Sequence, residues 1–246
     1  MIFYLGTHRL KLCLEFPHSF VSVNILRKRR SDFLANAWIL DSGAFTELAR
    51  FGEYLHSVED YALQINRWKT CGNLEMAVYQ DYMCEPFMLE RTGLTIKEHQ
   101  RLTIERYRKL FPLTDLPILP VLQGYSVSDY LRHLDDYGDN IIQGMRVGVG
   151  SVCKRNAKPR DVMVILEAIK RERPDLRLHA FGLKITALRS NYILSLLHSA
   201  DSMAWSYRAR REGRDANSLE EARSFYNDIS TRAGNKPTQL LLQEGE

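Results

Sequence analysis

The chain has 246 residues, 45% hydrophobic and 26% charged, with a net charge of +4. This is globular composition with material for one sizeable core, and no apolar run approaches the ~18 residues of a membrane span. The mild basicity permits a polyanionic partner without demanding one. The four cysteines (Cys13, Cys71, Cys84, Cys153) form no CxxC pair, which excludes a disulfide framework or a zinc ribbon.

In chain order, a first strand is expected at 2–6 (IFYLG). A second follows at 20–26 (FVSVNIL), after a connection too short for a standard helix. The opening MIFYLGTHRLKLCLEF lacks a small-residue cleavage site, so a reduced cytoplasmic protein is expected. A third strand, AWILD (37–41), precedes a helix over 57–71. EMAVYQD (75–81) leads to a helix over 95–111, and PILPVLQG (117–124) to one over 126–138. GMRVGVG (144–150) precedes a helix over 159–175, with Pro159 near its first turn, and LRLHAFG (176–182) precedes one over 187–199. The eighth and weakest strand is SADSMAWS (199–206). Ser57 with Asp60, Ser126 with Asp129 and Ser218 with Glu221 give capping signals. The tail 232–246 is expected to be peripheral.

Eight strands with interleaved helices predict an α/β fold, a single (β/α)8 TIM barrel over residues 1–246. A doubly wound open sheet is the competitor. Five strands end in residues that a pure core would not choose: Asp41-Ser42-Gly43, Gln80-Asp81, Gln123-Gly124, Gly148-Val149-Gly150 and Gly182-Leu183-Lys184. In a parallel barrel these ends share the face where active sites are built. The carboxylates among them suit acid–base or nucleophilic work. Asp41 and Asp81 have a lesser reading as turn caps, and Gly148 and Gly150 either mark close backbone packing or let a flat ligand approach the backbone. Cys84 reads as a small buried hydrophobe and His179 as a core histidine with its hydrogen bonds satisfied. No histidine pair has metal-ligand spacing, so no metal is expected.

At these stations the sequence resembles the tRNA-guanine transglycosylase superfamily of (β/α)8 barrels. LDSGAF (40–45) is similar to that family's L-D-S-G-G-F, and YQDYMCEP (79–86) to its F-D-E-C station. VLQG (121–124) is similar to V-Q-G, RVGVG (146–150) to A-V-G and HAFGL (179–183) to Y-L-M-G. ADSMAWSYRAR (200–210) is similar to F-D-C-V-x-P-T-R. The C-x-C-x-x-C plus histidine zinc site of the tRNA enzymes has no counterpart after Asp201. The short chain and the DSMAWS version of the last station look like the DpdA branch, which installs 7-deazaguanines in DNA.

The resemblance implies a DNA-guanine transglycosylase without a cofactor. It would exchange guanine in DNA for a free 7-deazaguanine base, preQ0 by default, through a covalent aspartyl-deoxyribose intermediate. Asp201 would be the nucleophile and Asp41 the proton shuttle. Asp81 would accept from guanine N1–H and the exocyclic amine, with Gln123 donating to O6 and the Gly148 amide assisting. Ser42, Gly43, Gly124 and Gly182 are expected around the base, with Phe45, Tyr82 or Phe181 stacked on it. The target base must be flipped out or single-stranded. Lys184, Arg208, Arg210 and Arg211 are expected on the phosphates, alongside RKRR (27–30). The alternatives are a tRNA-guanine transglycosylase, an unrelated barrel glycosidase and a non-catalytic nucleic-acid-binding barrel.

Overall fold

The structure, a computed structural model, describes residues 1–152 and 159–232. The expectation for the tail beyond 232, and Cys153, lie outside the described residues. The strands are β1 (Ile2–Gly6), β2 (His18–Ser22), β3 (Ala37–Asp41), β4 (Asn73–Val78), β5 (Ile118–Leu119), β6 (Val121–Leu122), β7 (Arg146–Val149), β8 (Arg177–Ala180) and β9 (Ser199–Ser202). All pair in parallel, in the order β5-β4-β3-β2-β1-β9-β8-β7-β6. β5 and β6 are one barrel stave broken at Pro120, which has no N–H for the ladder. β4 pairs with β5 and β6 with β7, so this broken stave closes the ring. Counted this way the barrel has the eight staves expected.

The helices are α1 (Ala44–Phe51), α2 (Val58–Trp68), α3 (Pro86–Thr92), α4 (Ile96–Leu110), α5 (Val127–Tyr137), α6 (Pro159–Glu172), α7 (Ile185–Leu188), α8 (Asn191–Leu196), α9 (Ala204–Arg211) and α10 (Leu219–Arg232). α2 and α5 start with the capping boxes expected at Ser57 and Ser126, and α4 with a third at Thr95. Between β1 and β2 there is only a 3-10 turn (Leu10–Leu14), and β2 likewise ends in a short 3-10 turn (Val23–Ile25).

Two expectations are corrected. The 187–199 helix is two short ones, because the Ser190 hydroxyl caps Ile193 N–H (3.3 Å) and starts a new helix. The eighth strand stops at Ser202, because Trp205 turns inward and donates its indole N–H to the Gly6 carbonyl (2.9 Å). Asp201 therefore stands near the C-terminal end of its strand. α10 covers the outside of β1, with Phe3 against Phe225 and Tyr226.

A polar layer closes the barrel floor. The Tyr4 hydroxyl bonds to Glu75. Arg146 donates to Tyr4 Oη (3.1 Å), lies 3.7 Å from Glu75 and reaches His198 Nε2 (3.0 Å). β1, β4 and β7 are not neighbours in the sheet, so these side chains meet across the lumen. Burial, reinforced by the Arg146 charge, pushes His198 down to about 4, so its Nε2 accepts the guanidinium proton as a neutral ring.

Candidate active site

A cavity of about 210 Å³ opens among the C-terminal strand ends. Asp41, Asp81, Glu85 and Asp201 face into it with Gln123, Gly150 and Ser151, and Phe20, Phe45, Phe181 and Met83 supply apolar wall. Sequence reasoning named Asp41, Asp81, Gln123, Asp201, Phe45, Phe181 and Gly182, and the structure brings all of them to this one cavity. Phe20, Glu85 and Ser151 were missed. Phe20 reads as an ordinary inward strand residue. Glu85 lies inside the 79–86 station but was given no role, and Ser151 stands one residue beyond the 146–150 station.

Asp41 ends β3 and accepts the Gly43 N–H (3.0 Å). Gly43 has φ +75°, and a Cβ there would stand 2.3 Å from Asn24. Only glycine makes this turn without strain. Part of Asp41 opens into the cavity, but protein surrounds its carboxyl. That burial, with the nearby Asp201 charge, pushes its pKa up to about 6 against the Gly43 hydrogen bond. Ser42 faces away from the cavity: it is fully buried, and its hydroxyl has no hydrogen-bond partner.

Asp81 follows β4 and is nearly fully buried. Burial pushes its carboxyl up to about 7, against the hydrogen bond that the Gln123 amide donates to it. Gln123 is pinned at every polar atom. Its N–H donates to His133 Nδ1 (2.9 Å), and its carbonyl accepts from Gln100 (2.7 Å). Its side-chain oxygen faces the Ser151 hydroxyl (2.6 Å). Ser151 also lies 2.9 Å from Glu85 Oε2 and accepts the Cys84 N–H (2.8 Å). This bracket turns the amide so that its NH2 faces Asp81.

The two glycines expected to admit a flat ligand have other occupants. A Cβ on Gly150 would stand 2.1 Å from the Gln123 amide, and one on Gly148 would stand 2.4 Å from the Phe181 ring. The Gly148 N–H donates to the Pro120 carbonyl (2.7 Å) within the sheet, so it is spent on the barrel and does not face a base. Gly124 packs against α5 at Asp129 and Tyr130, outside the cavity lining. Tyr82 is buried between Tyr54 and His99 and does not line the cavity.

Asp201 accepts the Gly182 N–H (3.1 Å) and faces His179 Nε2 at 3.3 Å. His179 Nδ1 lies 2.9 Å from the Ser199 hydroxyl, and the fully buried ring stacks on Phe20. His179 is therefore a core histidine with its bonds satisfied, and one of those bonds holds the Asp201 carboxylate. Cys84 is buried and its thiol is pushed far up by that burial, which leaves it no nucleophile character at neutral pH.

The basic residues named from sequence are spread out. Lys184 stands at the start of α7, four residues after β8, and is exposed. Arg208 pairs with Glu212 (3.1 Å) and Arg211 lies over Tyr207. These two and Arg210 occupy the last turn of α9, the end remote from its strand. Arg27 is paired with the buried Glu47 (3.3 Å) and is structural. Among the described residues no cluster of three or more His, Cys, Asp or Glu could hold a metal ion, and no helix is long and apolar enough to cross a membrane.

The arrangement can do base chemistry on a sugar. Two carboxyls face one cavity from β3 and β9, and an acid–amide pair joins the ends of β4 and β6. Aromatic rings complete the enclosure. No curated protein matches the chain. One family model does, described as DpdA, DeoxyPurine in DNA protein A, and it covers residues 1–222.

Proposed function

Given that the chain belongs to the DpdA family, transglycosylases that modify DNA with 7-deazaguanines, we propose that it exchanges guanine for preQ0 or a derivative by double displacement at Asp201. Asp201 attacks C1′ of the deoxyribose. The C1′–N9 bond breaks, its electron pair goes to the departing guanine, and Asp41 supplies the proton. The incoming base then gives its N9 proton to Asp41 and attacks C1′, and the ester bond to Asp201 breaks. The chemistry parallels retaining glycosidases, with a base in place of water.

The observation that carries this reading is the convergence of Asp41 and Asp201 on one base-sized cavity whose far wall is the Asp81–Gln123 pair. The carboxylate of Asp81 suits the donor–donor edge formed by N1–H and the exocyclic amine. The Gln123 NH2, held toward Asp81, is placed to donate to O6 as well. A carboxylate poised at about 6 both gives and takes a proton near neutrality.

The test incubates protein with preQ0 and guanine-labelled DNA, single- or double-stranded, or labelled tRNA. Label release from DNA, with an Asp201-linked DNA adduct trapped on denaturing gels, is the expected result. Asp201→Asn should lose both, with turnover down ~10⁴-fold or more. Release from tRNA alone, or full activity in Asp201→Asn, would overturn the proposal.

A further inference from the structure

A second cavity among the described residues is larger than the one just described. It is a groove of about 590 Å³ on the outer wall, where the 3-10 turn replaces a crossover helix between β1 and β2. His8, Arg9 and Lys11 line it from that turn, and Arg29 from the segment after β2. Leu14 and Phe33 provide apolar floor, and none of its lining residues is acidic. We infer that this groove holds the sugar–phosphate backbone of the DNA strand whose guanine enters the barrel.

Three observations support the assignment, which rests on DNA being the family's substrate. The first is charge. Arg9 spends its guanidinium on the Asn217 carbonyl, and Arg29 on the carbonyls of Ser31 and Asp32, so neither cation is neutralised by a carboxylate there. Lys11 has no carboxylate partner among the described residues, and nor has neighbouring Lys28. The nearby acids are already engaged, Asp32 by Arg67 (2.5 Å) and Glu15 by Arg223 (2.6 Å).

The second observation is place. Thr7 N–H donates to the Phe20 carbonyl (3.0 Å), and Phe20 lines the active cavity. The groove therefore begins at His8, the next residue along, beside the strand that pairs Tyr4 with Asp201. The third is shape. Exposed Leu14 and Leu34 flank the cations, and such mixed lining suits a strand whose sugars are apolar and whose phosphates are not.

Fluorescence anisotropy with a labelled single-stranded DNA oligonucleotide, titrated at several salt concentrations, tests this. The variants are Lys11→Gln/Arg29→Gln in the groove and Arg210→Gln/Arg211→Gln on α9. Each phosphate contact on a single strand adds roughly 0.7 to the slope of log K against log salt. The groove variant should lower that slope by roughly 1.4, and the α9 variant by clearly less. An unchanged slope in a groove variant that melts like the parent overturns the inference. So does a loss confined to the α9 variant. A parent protein that binds no DNA at any salt concentration would instead strike the proposed function and the groove together.

Discussion

In the proposed recognition, an ionised Asp81 would offer only acceptors to the N1–H and amine donors of guanine and the 7-deazaguanines; a protonated Asp81 would place a hydrogen against a hydrogen. With its pKa raised to about 7, Asp81 gains protons as pH falls through neutrality. The KM for preQ0 should therefore rise about tenfold per pH unit below about 6.5 and level off above about 7.5. A KM flat from pH 5.5 to 8.5 would remove Asp81 from base recognition. The nearby Asp41 charge also raises Asp81, so the titration belongs to that pair. The same raised values destabilise the free protein. The folded state holds these protons where an unfolded carboxyl, with a pKa near 3.9, would release them. Stability is thus lost as pH rises from about 4 to about 7 and stays lower above that. Asp81→Asn should raise Tm by a few degrees at pH 8, with the gain shrinking toward pH 5. His179, 3.3 Å from Asp201, would act through that carboxyl if Asp201 is the nucleophile. His179→Leu should lower kcat at least ~10-fold with little change in DNA binding, and His179→Gln should recover much of it by restoring a donor. Equal losses in both variants would make His179 a packing residue only. Asp41, Asp81 and Gln123 were legible because each stands at the end of an apolar run, whereas Asp201 was marked only by the resemblance. Ser42, Gly124 and Gly148 were not separable from them, since backbone geometry alone turns a neighbour inward or outward.

At the scale of elements, the turn from β3 into α1 carries the most consequence. Gly43 lets the chain reverse so that its own N–H returns to Asp41. Glu47 in α1 then anchors the following segment through Arg27, His56 (2.8 Å) and Leu55 N–H (3.0 Å). Gly43→Ala should cost more than ~1 kcal/mol in urea unfolding and also reduce kcat, since the Cβ strains φ and displaces Asn24. A fully active, equally stable alanine variant would show that the turn relaxes elsewhere. The strands and capped helices were legible from period and caps. α1 and α3 were not expected, because each is short and lies within or just after a stretch rich in site residues, where turn chemistry masks the helical period. The short β5 and β6 read as one strand because nothing local distinguishes a Pro break inside a closed barrel from an edge.

The whole molecule is a barrel with a built floor and an open top. The floor's charges are partly buried, and their value lies in being complete. Arg146→Met should destabilise by about 1–3 kcal/mol, discounted for the residual exposure of Glu75, while Arg146→Met/Glu75→Leu should recover part of the loss. Additive losses in thermal melts would show that the two do not interact. The barrel itself was legible from eight apolar runs. The floor was not, because Tyr4, Glu75, Arg146 and His198 are distant in sequence and meet only once the sheet has closed. The sealed floor also dictates traffic. Under the proposed double displacement, a base enters and leaves through the open top, so the departing guanine would have to clear it while DNA is esterified to Asp201, before a newcomer could enter. The kinetics should be ping-pong, with parallel double-reciprocal lines for DNA at several preQ0 concentrations. Free guanine should compete with preQ0 and not with DNA.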